Sequence, residues 1–130
     1  MSLEILISSD IQIENFMSSV ESANDEMEKE KAHAEAALND LIGAINSSNN
    51  REQIIERIRY SSDKMEIDSQ AMESKTVILK LGFFRDRLNR DETVSPSLKG
   101  RLIKAIDRRI ELEEGVVERA NRFNKALSNH

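Results

Sequence analysis

Apolar side chains recur along this chain at alternating steps of three and four, the spacing that lines one edge of a helix. The first run reads Ile13, Phe16, Val20, Ala23, Met27, Ala34, Ala37, Leu41 and Ala44, with Glu30 standing where the pattern asks for an apolar group. It predicts a helix over about 10–46. Ser9 or Asp10 can accept the free amide hydrogens of its first turn. The Ser/Asn-rich stretch 45–50 ends it, because these side chains compete for backbone hydrogen bonds and Asn tolerates the left-handed conformation. Alanine fills the second half, so a neighbour can approach closely there.

The second run is less obvious. Residues 61–76 are polar, serine-rich and thinly apolar, as a linker would be. Yet Ile58, Ser62, Met65, Ser69, Met72, Thr76, Leu79 and Phe83 keep the same three-and-four steps, and neither glycine nor proline occurs between Arg51 and Leu81. A linker has no reason to hold that register. One helix over about 51–90 is therefore expected, with a half-filled seam. Each small hydroxyl at Ser62, Ser69 and Thr76 forgoes packing worth on the order of 1–2 kcal/mol, so 61–76 should be the least stable segment. Gly82 marks either a close helix contact or a hinge.

The third run, Ile103, Ile106, Ile110, Glu113, Val117, Ala120, Asn124 and Leu127, is widened by Leu102, Val116 and Phe123. It predicts a helix over about 96–128, capped by Ser95, with Pro96 in the first turn where its missing amide hydrogen does no harm. Three long helices joined by short turns run up, down and up. The expected fold class is all-α: an elongated antiparallel three-helix bundle, coiled-coil-like, in one domain over 10–129 behind a tail of residues 1–9. Seams rich in Ala, Ser and Met leave dimerisation to a larger bundle open.

Composition supports this picture. Of 130 residues, 33% are charged and 4% aromatic, with one proline and four glycines, which suits long thin helices better than a thick core. There is no cysteine, so disulfides and thiolate metal sites are excluded. The run Ile5-Leu6-Ile7 is too short to cross a bilayer, and Glu4 precedes it where a signal peptide would be basic. A soluble, cytoplasmic protein is expected.

Charge is uneven. Residues 80–109 carry nine basic against four acidic groups, a surplus of five, while the whole chain is at −5; the remainder therefore holds −10. Arg85, Arg87, Arg90, Arg101, Lys104 and Arg108 make a basic tip on an acidic rod. The tip is either a solvated end or a docking site for an acidic protein surface or phosphate. Duplex nucleic acid ranks low as a partner, because the acidic flank repels its backbone. The run 24–37 is charged at helical spacing and reads as a solvated face.

Chemistry is thinly signalled. Glu30-x-x-His33 matches half of the carboxylate–histidine pairing of bundle-borne di-iron sites, but a second such pair is missing. Glu30, Ser69 and Glu113 each lie midway along a helix and should form a polar layer. No nucleophile stands with a base and no glycine-rich phosphate loop occurs, so neither an enzyme nor a cofactor site is expected. The leading expectation is a protein–protein interaction module, an adaptor, assembly subunit or small chaperone. It would offer Met65, Ser69, Met72, Thr76, Phe83 and Phe84 to a partner helix. A purely structural coiled-coil subunit and a small ligand- or metal-binding bundle are the alternatives.

Overall fold

In a computed structural model the described residues, 10–128 with side chains from Glu14 onward, form four helices: α1 Asp10–Ser47, α2 Arg51–Arg59, α3 Ser62–Arg90 and α4 Pro96–Ser128. No strand occurs among them. The tail 1–9, the side chain of Ile13 and residue His130 lie outside this range.

The ends of the helices follow from local hydrogen bonding. After Ser47 the chain turns through 48–50, where the Ser48 hydroxyl accepts the Asn50 amide at 3.1 Å. The left-handed conformation expected of Asn is not used: Asn50 has φ −107°, and no described residue has positive φ. At the other turn Ser95 behaves as expected. Its hydroxyl accepts the Leu98 amide at 3.3 Å, and the helix starts on Pro96.

The expected single helix over 51–90 is corrected. It breaks at Tyr60–Ser61, without glycine or proline, because Ser61 takes an extended conformation (φ −80°, ψ 153°). Its hydroxyl donates to the Ile58 carbonyl at 2.7 Å, closing α2, and accepts the Lys64 amide at 3.2 Å, opening α3. One side chain thus terminates one helix and caps the next, the competition for which serine is known. Residues 62–76 are helical throughout, so the doubtful stretch is no linker.

α4 is the centre of the packing. It lies against both α1 and α3, whereas no Cα of α1 comes within 8 Å of α3 among the described residues. Partner numbers rise together between α1 and α4 (Glu21–Arg101, Asp25–Arg108, Glu35–Arg122), so these two run the same way. They fall between α3 and α4 (Asp68–Asn124, Arg85–Asp107), so α3 runs the opposite way. The apolar core is divided between the two ends. Met17, Leu88, Val94, Leu102 and Ile106 pack at one. Ile45, Ile55, Phe123 and Leu127 pack at the other, where α2 closes the bundle and Arg59 donates to the Leu127 carbonyl at 2.8 Å. Phe16 and Phe84 bridge α1 to α3 at the first end, ring centroids 6.0 Å apart.

The seams were legible unequally. In α4 the expected line faces the core, with Leu102, Ile106, Ala120, Phe123 and Leu127 buried. In α1 the buried column is shifted by one residue. Met17, Asn24 and Ile45 are buried and Lys31 and Leu38 half-buried at intervals of seven, while Ala37, Leu41 and Ala44 are exposed. In α3 the expected seam is the outer face. The inner face is Ile67, Ala71, Ser74, Leu81 and Leu88. Small residues at Ala71 and Ser74 let α3 approach α4 closely, which apolar size alone does not signal.

Candidate interaction surface

Ser62, Met65, Ser69, Met72, Thr76, Leu79 and Phe83 form one exposed line along α3. Met65, Met72, Leu79 and Phe83 are 71%, 66%, 62% and 67% exposed. α3 therefore carries two parallel seams, one spent on α4 and one turned to water. Thr76 donates its hydroxyl to the Met72 carbonyl at 3.2 Å, so its polarity is met within the helix and does not need solvent. Of the residues read from the sequence as partner-binding, Phe84 alone leaves this line; it turns inward onto Phe16. Gly82 makes no close helix contact, since a Cβ there would meet nothing within 4 Å.

Because α1 and α3 stand apart, a groove of about 380 Å³ opens between them over α4. Leu112, Val116, Ala120 and Phe123 form its floor; Met27 and Leu38 of α1 and Ile67 of α3 form its walls. Arg119 also lines it, with its side chain only 15% exposed. The Arg119 Nη1 is closed off from solvent and forms an ion pair with Glu35 at 3.6 Å, longer than a hydrogen bond. Glu35 itself is held below the usual carboxylate range, chiefly by the hydrogen bond from Arg122 at 3.0 Å. The sequence pointed to none of this groove. Its only trace there is the alanine-rich second half of α1, where small side chains stand beside a neighbour that does not close in.

The expected polar layer does not form. Glu113 is buried and accepts from Arg109 Nε at 2.9 Å one turn earlier, whereas Glu30 and Ser69 are exposed. The buried polar group facing across the bundle is instead Asn24, whose Nδ2 donates to the Ala105 carbonyl at 3.0 Å. His33 is exposed, and no group of three or more metal-binding side chains occurs among the described residues.

The basic tip is largely neutralised from within. Arg85 is paired with Asp107 at 2.6 Å, Arg101 with Glu21 at 2.8 Å and Arg108 with Asp25 at 2.9 Å. The hydrogen bond to Glu21 raises the Arg101 pKa further. Arg90 and Lys104 are exposed on the same end, and Arg87 also interacts within the chain. Acidic residues of α1 supply two of these pairs, so part of the charge surplus of 80–109 is met by a helix distant in sequence. No described helix is long and apolar enough to cross a membrane.

Comparison of the chain with protein-family models, curated proteins and solved structures found no match.

Proposed function

We propose that the protein is a non-enzymatic helical interaction module that receives another helix along the outer seam of α3. The observation that carries the reading is the line Met65, Met72, Leu79, Phe83, kept in heptad phase with its most exposed members turned to water. Single apolar residues on a surface are ordinary. Four in one line over about five turns are the pattern by which one helix recognises another. Burying them would contribute roughly 1.5–3 kcal/mol each before the cost of association.

In this reading α2 and α3 act as one bent rod, and the molecule is an elongated up-down-up bundle of coiled-coil type whose outer seam is filled by its partner. Cytoplasmic residence, and a protein partner in preference to membrane or duplex nucleic acid, belong to the same proposal. A photo-reactive residue in place of Met72 tests it in native cells, with one in place of the exposed Glu111 of α4 as control. Protein adducts from the Met72 position well above the control are expected. Adducts no more abundant than the control would overturn the reading.

The groove supports a second reading, a small apolar ligand laid on Leu112, Val116 and Phe123. Titration with an uncharged polarity-sensitive dye tests it: saturable binding lost in Val116→Glu supports a ligand site, and no binding removes it.

A further inference from the structure

We propose that the helix received by α3 is α3 of a second copy, running antiparallel about a two-fold axis level with Val77 and Ile78. The proposal rests on the reading above and adds the partner, its direction and its register. The charges flanking the outer seam carry it.

Directly after Met65, Met72 and Leu79 along one edge stand Glu66, Glu73 and Lys80, with Arg87 one heptad on: two acids followed by two bases. Directly before Ser69 and Thr76, on the other edge, stand Asp68 and Lys75. Flanking charges of this kind set the partner and orientation of paired helices. A parallel pair brings opposite edges together about five residues apart. It would set Lys75 against the partner's Lys80, like charges, while Asp68 on the same edge is already held by Lys64 and by Asn124 of α4. Turning one helix end over brings like edges together. With the axis at Val77 and Ile78, Glu66 faces the partner's Arg87 and Glu73 faces the partner's Lys80. Two-fold symmetry repeats each pair, as an isologous contact requires.

The register is singled out as well. Sliding the pair by one heptad sets Glu73 against its own counterpart in one direction and Lys80 against its own in the other. In the proposed register Leu79 packs on the partner's Thr76 and Met72 on the partner's Phe83, and two-fold symmetry makes these four apolar layers about the axis, with Ser69 facing the partner's Asp86 outside them. The small hydroxyl of Thr76 thereby gains a purpose: it receives the bulk of the partner's Leu79.

Sedimentation equilibrium of the full chain across a wide concentration range tests the proposal, with circular dichroism confirming helicity of each variant. A reversible dimer is expected. Leu79→Glu should raise its dissociation constant by at least about 100-fold, since two apolar contacts are lost and two charges are set in the seam. Glu73→Lys should raise it about fivefold or more, and the exchange variant Glu73→Lys/Lys80→Glu should restore it to within about twofold. Spin labels on Ser62→Cys should lie roughly 45 Å apart in the antiparallel pair, against roughly 10 Å in a parallel one. A monomer at every concentration, a dimer indifferent to Leu79→Glu, an exchange variant no better than Glu73→Lys, or the short label distance would each overturn the proposal. A monomer whose Met72 position still forms adducts with a different protein removes self-pairing alone and leaves the helix-docking reading standing.

Discussion

Asn24 of α1 reaches into the bundle and donates its side-chain amide to the carbonyl of Ala105 in α4 at 3.0 Å, while its own Oδ1 is buried without a donor. The bond lies within the bundle, between two helices that also meet through apolar contacts and through the outer ion pairs Glu21–Arg101, Asp25–Arg108 and Glu35–Arg122. Asn24→Ala should lower stability by about 1–3 kcal/mol. Asn24→Asp should cost more at pH 7, because a carboxylate would then be buried against a carbonyl oxygen. Burial raises the folded-state pKa of the introduced carboxyl, so its penalty grows as pH rises and shrinks as pH falls. Urea unfolding of both variants at pH 7 and pH 5 measures this.

The inward face of α3 is fixed by Leu88, which is fully buried, and its outward face by Met72. Leu88→Ala should cost about 2–5 kcal/mol. Met72→Ser should stay within about 0.5 kcal/mol when measured at high dilution. Chemical denaturation of the pair is decisive: equal losses would return Met72 to the core.

Gly82 lies mid-helix with open space where a Cβ would go. Gly82→Ala should therefore stabilise the fold by about 0.5–1 kcal/mol, visible as a higher melting temperature. Gly115→Ala should gain less. Its Cβ would come within 3.3 Å of Arg119 Nη1, and that buried guanidinium must shift to admit it.

Acid should loosen the bundle. Asp68 is held below the usual carboxylate range by the hydrogen bond from Lys64 first and then by that from Asn124, which ties α3 to α4. Glu35, through Arg122, does the same between α1 and α4. Both folded-state values are depressed, so their contribution is present above the unfolded pKa and is lost as pH falls through the folded one. Thermal stability should be level from neutral pH to about pH 5 and decline below about pH 4. Asp68→Asn with Glu35→Gln should flatten that decline.

How much of this was legible in the sequence varied with how each helix is buried. α4 is covered on two sides, and its broad line of Ile, Leu and Phe announces its inner face. α3 carries two lines with large apolar side chains, Met65, Met72, Leu79 and Phe83 on the outer one and Ile67, Leu81 and Leu88 on the inner one, so size does not tell them apart. The inner line passes through Ala71 and Ser74, because close approach to α4 favours small groups there. In α1 a buried asparagine stands where an apolar residue was expected one position earlier, since hydrogen bonding across the bundle and apolar packing compete for the same column. The break at Ser61 has no glycine or proline to mark it. Of the candidate surface, the line of residues was visible but its side was not, and the groove follows from α1 and α3 standing apart, which no local pattern encodes.

The middle position of α4 has a bearing on how the chain is made. α1 and α3 have no backbone contact of their own, and the helix on which both are laid is the last of the four to be translated. Before α4 is made, the meeting of α1 with α2 and the contact of Phe16 with Phe84 are open to the nascent polypeptide, while Met17, Leu88, Ile45 and Ile55 still lack the α4 residues that cover them.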